Sequence, residues 1–72
     1  MTEKELDYYE AGIMDANEQR RIVTPAQSQR FNMLAKRDKL PIGKDAITML
    51  DAYNRGIAQE INRQIRLLGL NE

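Results

Sequence analysis

The chain has 72 residues, with no cysteine and no histidine, and its 11 Lys and Arg balance its 11 Asp and Glu. That length makes one small domain burying only about 60% of its unfolded surface, and the composition denies it both a disulfide and an ordinary zinc site. With the commonest general base and the best nucleophile both missing, catalysis is not expected. No catalytic, metal or cofactor residue is assigned. Well-formed helices and self-association are the stabilisers left.

The neutral total hides a segregation. Residues 1–18 hold six acids (Glu3, Glu5, Asp7, Glu10, Asp15, Glu18) against Lys4 alone, whereas Arg20, Arg21, Arg30, Lys36, Arg37, Lys39 and Lys44 face only Asp38. Charge arranged in blocks meets charge elsewhere, in the same chain or in a partner.

A first helix is predicted over 3–21. Thr2 and Glu5 are spaced as a capping box, and the early acids suit the positive end of the helix dipole. Leu6, Tyr9, Ile13 and Ala16 form its apolar stripe. Tyr8 then points sideways, where it either covers the rim of the core or stacks on a nucleotide base beside arginines of a second subunit.

A second helix is predicted over 25–38, with Thr24 and Gln27 as a capping box, Pro25 at the first helical position, and Pro41 beyond its end. Phe31, Leu34 and Ala35 form its narrow buried face; Arg30, Met33 and Arg37 share another side.

A third helix is predicted over 44–69. Gly43 is placed to cap it, and Ile42 and Ile47 are spaced as a hydrophobic staple. Its stripe runs Ala46, Leu50, Tyr53, Ile57, Ile61, Ile65, Leu68, a mean step of about 3.67 residues, which suits a straight helix in a bundle better than a parallel zipper. Gly56 is its weak point, costing about 1 kcal/mol against Ala in mid-helix. The apolar phase crosses Gly56 without a slip, so one continuous helix is expected; the competitor is a tail folded back at Gly56. Ala52 and Gly56, four apart, would admit another backbone closely.

The expected architecture is therefore an all-α, three-helix, bundle-like single domain over 1–72 with a long C-terminal helix, self-associating. A stripe roughly 37 Å long is more than two shorter partners cover, which leaves Ile61, Ile65, Leu67, Leu68 and Leu70 to be shielded by another copy or another protein. The expected function is binding: a non-enzymatic adaptor, regulator or inhibitor whose interface anchors are Leu50, Tyr53, Ile57, Ile61, Ile65 and Leu68. The alternative is a binder of phosphate-bearing ligands, nucleic acid or nucleotide, through Arg20, Arg21, Arg30, Lys36, Arg37, Lys39 and Lys44, with Tyr8 for stacking. Against sequence reading of DNA, the would-be recognition helix opens with Lys44-Asp45 and goes on to Asp51, bringing acids to the phosphates. The competing use of the bases is to neutralise acidic helix one, within or between chains.

No apolar run approaches the ~20 residues of a membrane span, and an N-terminus acidic from Glu3 has the wrong sign for a signal or transit peptide. A cytoplasmic protein without membrane contact is expected. Small size, capped helices and missing catalytic residues give the general look of a phage or mobile-element accessory protein, although no motif in the chain marks a family.

Overall fold

The computed structural model describes residues 1–40 and 43–70. These are all-helical: α1 (Glu3–Gln19), a single 3-10 turn (Pro25–Gln27), α2 (Gln29–Arg37) and α3 (Lys44–Leu70). Ile42 of the expected staple and the side chain of Leu70 lie outside the described residues.

Thr2 caps α1 by accepting the Glu5 amide at 3.1 Å, and its hydroxyl donates to the Glu5 carboxylate. The helix stops two residues short of expectation. Arg20 takes a left-handed conformation (φ 54°), and its amide closes the last turn on the Ala16 carbonyl.

The expected start of the second helix is corrected. Thr24 provides no side-chain cap, and Pro25 opens only the 3-10 turn. α2 starts after Ser28, whose Oγ accepts the Phe31 amide at 2.9 Å while its proton goes to Asp15. The hydroxyl satisfies an orphan amide of α2 and a buried carboxylate of α1 at once, a tertiary advantage Thr24 lacks. Lys39 (φ 49°) turns the chain out of α2, and the Leu40 amide returns to the Ala35 carbonyl.

α3 is unbroken through Gly56 and has 27 residues, about 40 Å at 1.5 Å per residue. A tail folded back at Gly56 is thus ruled out. The helix sets the 45 Å long axis of the molecule. α1 lies along it in parallel: Tyr9 and Ile13 meet Gly56, Gly12 meets Tyr53 and Ile57, and Asn17 meets Glu60. α2 runs antiparallel to α1, with Arg30 near Asp15 and Glu18, and Arg37 near Asp7.

The core lies where the three helices meet. Tyr8 and Tyr53 are both fully buried, and each sets its ring edge-to-face with Phe31, at 5.3 and 5.4 Å. Ala11, Ala16, Val23, Met49, Ala52 and Ile57 complete it. The stripe expected on α1 is therefore displaced: Tyr8, Ala11, Gly12, Asp15 and Ala16 face inward, whereas Leu6 is exposed and Tyr9 and Ile13 only half-buried. The inward face holds a glycine and a carboxylate, which a search for apolar side chains does not count.

Candidate interaction surface

The six residues expected as interface anchors divide along α3. Tyr53 and Ile57 are buried in the chain's own core, and Leu50 and Ile61 are half-buried against it. Ile65 and Leu68, at 59% and 69% exposure, remain open to solvent, as does Leu67. The cause is register. The last turn of α1 reaches Glu60 through Asn17 and Gln64 through the Ala16 carbonyl, and among the described residues no helix runs alongside α3 beyond that point. Ile22, 69% exposed, comes from the loop after α1 to line a shallow groove of about 360 Å³ with Asn54, Ile57, Ala58, Ile61 and Asn62, just before the exposed end. Ile22 was missed because no periodic pattern includes a single loop residue.

The cations on this end of α3 are Arg63 and Arg66. Among the described ion pairs, Arg63 binds Glu60 at 2.6 Å, and Arg20, Arg21 and Arg66 take part in none. Arg66 is thus the one cation among residues 61–70 that takes part in no described ion pair.

The seven bases of the alternative site do not gather. Arg30 donates to Asp15 at 2.8 Å and to both oxygens of Glu18 at 2.9 and 2.6 Å. Arg37 binds Asp7 and Asp38 at about 3 Å. These ion pairs join acidic α1 to basic α2 within one chain. Of the remaining five, Arg20 and Arg21 sit at the carboxyl end of α1, while Lys36, Lys39 and Lys44 sit at the opposite end of the molecule, where α2 finishes and α3 begins. The exposed Tyr8 expected for stacking is likewise corrected: its ring is fully buried, and its hydroxyl donates to Asp38 at 2.9 Å. Tyr8 turns inward because Gly12 and Ala16 let α3 come close on the neighbouring face, leaving the stripe one residue earlier than Leu6–Tyr9–Ile13 suggests.

Inside the bundle, Asp15 ties all three helices together. Its Oδ2 accepts Ser28 of α2's cap at 2.5 Å and the Tyr53 hydroxyl of α3 at 2.6 Å, and its Oδ1 accepts Arg30. Burial works to raise the pKa of Asp15, but the donors from Ser28, Tyr53 and Arg30 outweigh it and hold the carboxyl below its usual range. Burial and the same carboxylate push the Tyr53 hydroxyl up to about 12. Glu60, almost fully buried, takes Arg63, Asn17 and Gln64 and is held down at about 2. All of these groups are saturated by donors, and no buried side-chain polar atom among the described residues lacks a partner. A carboxylate so engaged is an acceptor with no proton to deliver at neutral pH.

A second open feature lies across the bundle, between α1 and α2. This groove of about 310 Å³ has Ala11, Met14, Met33 and Leu34 for its floor and Asp7, Glu10, Arg30 and Arg37 for its rim. Met14 is half exposed and Met33 mostly so. The side shared by Arg30, Met33 and Arg37, legible from their spacing, forms one wall.

Among the described residues no group of acids is arranged to hold a metal ion, and no helix is long and apolar enough to cross a membrane. The geometry defines a three-helix domain with a polar internal clasp, an exposed apolar end of α3, and a groove lined by methionines. Against protein-family models, curated proteins and solved structures, the chain gives no match.

Proposed function

We propose that this chain is a non-enzymatic helical binding protein, an adaptor, regulator or inhibitor, that works by associating through the carboxyl-terminal end of α3. The observation that carries this reading is the exposed run of Ile65 and Leu68 beyond the reach of α1, with half-buried Ile61 leading into it from the groove that Ile22 lines. Ile65 and Leu68, both more than half exposed and about one turn apart on α3, extend the apolar face that Ile61 begins, and exposed apolar faces of this kind mark interaction sites. Arg66, on the same stretch of α3 and in none of the described ion pairs, would orient and steer whatever docks there. Leu50, Tyr53 and Ile57 serve this surface indirectly, by fixing α3 as a rigid rod against α1.

The reading is tested by backbone amide exchange along α3 at micromolar and millimolar concentration. Association through this end slows exchange around Ile61–Leu68 as concentration rises, with no change around Tyr53. Exchange around Ile61–Leu68 that stays fast at every concentration contradicts self-association by this end.

A further inference from the structure

The groove that Ile22 lines and the exposed end of α3 share one face of the helix. Asn54, Ala58, Ile61, Ile65 and Leu68 follow one another at steps of four, three, four and three residues, the spacing by which two helices mesh side chains along a seam. The first three line the groove, with Asn62 beside them and Ile22 reaching over from the loop. The last two, Ile65 and Leu68, stand out into solvent. α1 covers a different side of α3, the one that carries Tyr53, Gly56 and Glu60.

The face therefore holds a hollow and a knob at a fixed separation. Ala58 lies at the middle of the groove, and Leu68 is ten residues further along the helix, about 15 Å at 1.5 Å per residue. A second copy turned end for end about an axis at residue 63, midway between them, sets Leu68 of each chain in the groove of the other. The same rotation brings Ile61 of each chain against Ile65 of the other, so one two-fold operation fills both grooves and covers both exposed ends. Charge does not oppose it. Asn62 of one chain meets Gln64 of the other, and both amides donate and accept. Arg63 points away from the seam, toward Glu60, to which it is bound, and Arg66 lies one turn further along that side. Like charges are thus not set against each other across the contact.

We infer that the partner of the α3 end is the same segment of a second copy of this chain, packed antiparallel about a two-fold axis near Arg63. This rests on the reading of the α3 end as an association surface, and it names the occupant and the register. A two-fold contact uses one patch on each chain and closes on itself, so the product is a dimer that does not extend.

The register is read by disulfide pairing, because the chain has no cysteine of its own. Ala58→Cys and Leu68→Cys are prepared singly, at exposed positions, and each is checked for wild-type helical circular dichroism and melting temperature in reductant. The two are then mixed in equal amounts in a glutathione redox buffer, and the cross-linked species are separated by mass. The antiparallel register places residue 58 of one chain beside residue 68 of the other. It holds like residues about 15 Å apart, beyond the roughly 7 Å between Cα atoms that a disulfide spans. The expected product is the mixed 58–68 disulfide in large excess over either self-pair. Self-pairs in excess would show a parallel contact and overturn the register. Mixed and self-pairs in the shares of random collision, from a wild type whose light-scattering mass exceeds one chain, would overturn this contact and leave association by another surface. A wild type that is a single chain at millimolar concentration would overturn both this contact and the self-association on which it rests.

Discussion

Gly12 of α1 and Gly56 of α3 bring two helix backbones into direct contact. A Cβ added at Gly12 would fall inside the Tyr53 carbonyl oxygen, and one added at Gly56 inside the Tyr9 carbonyl oxygen. Each glycine thus seats a carbonyl of the other helix, and Ala16 and Ala52, one turn away on either side, keep the seam narrow. This contact lays α1 along the middle of α3 and leaves the carboxyl end of α3 extending past it.

Substitution at the seam gives the first prediction. Alanine in a helix interior gains about 1 kcal/mol over glycine in propensity, but overpacking against atoms that cannot move costs about 1–3 kcal/mol or more. Backbone is the obstacle on both sides, so the clash wins. Gly12→Ala and Gly56→Ala should each lower stability by about 2 kcal/mol, a melting shift on the order of 10 °C for a domain this size. Gly69→Ala, in the last turn of α3 with nothing within 4 Å of its added carbon, serves as the unobstructed control and should leave the melting temperature unchanged or slightly raised.

The two neighbouring tyrosines should differ. Tyr8→Phe removes the donor to Asp38 from a fully buried ring and is expected to cost about 1 kcal/mol in urea unfolding. Tyr9→Phe, whose hydroxyl makes no hydrogen bond among those described, should stay within about 0.5 kcal/mol of wild type. Equal effects would contradict the inward placement of Tyr8.

Asp15 should be the most sensitive polar position. Asp15→Ala strands the buried hydroxyls of Ser28 and Tyr53 and half of the Arg30 clasp. A loss of about 3 kcal/mol is expected, because the partners of a removed buried acceptor stay desolvated. Asp15→Asn keeps the shape and one acceptor oxygen and should lie between. Chemical denaturation of the three proteins reads the order directly.

Stability should depend on pH at both extremes. Asp15, Asp38 and Glu60 have lowered pKa values in the folded chain: Asp15 because donors from Ser28, Tyr53 and Arg30 outweigh burial, Asp38 through Arg37, and Glu60 through Arg63, to about 2. A carboxyl lowered on folding contributes stability that is present above its unfolded value, about 4, and is lost as pH falls through the folded one. The Tyr53 hydroxyl is raised on folding, to about 12; its contribution is whole below the unfolded value of about 10 and is lost as pH rises toward the folded one. Melting temperature should therefore be level near neutrality, fall between about pH 4 and pH 2, and fall again above about pH 10. Asp15→Asn should flatten part of the acid limb. A melting temperature unchanged down to pH 2 would contradict the carboxylate clasps.

Much of the fold was legible in the chain. The period of Tyr53, Ile57, Ile61, Ile65 and Leu68 carried α3 through Gly56, and Thr2 with Glu5 marked the start of α1. The Thr24–Pro25 signal misled because a proline after threonine suits a turn as readily as a helix start, and Ser28 gains a buried partner that only the tertiary fold reveals. The inward face of α1 was hidden for a related reason. Gly12 and Asp15 bury themselves through a backbone seam and a hydrogen-bonded hub, neither of which is hydrophobic. Of the residues expected as interface anchors, Ile65 and Leu68 lie exposed, whereas Tyr53 and Ile57 are buried in the chain's own core, because periodicity alone does not separate a core position from an interface position. The pairing of Arg30 and Arg37 with acids of α1 was foreseeable from the charge blocks, although which bases would pair depended on α2 running antiparallel to α1.

The central claim is that the exposed end of α3 is where this protein meets its partner, and the light-scattering mass of the wild type beside Ile65→Asp at the same concentration tests it most directly. The account predicts more than one chain for the wild type and a single chain for the variant, with equal melting temperatures at a concentration where both are monomeric. Equal masses for the two proteins would contradict it.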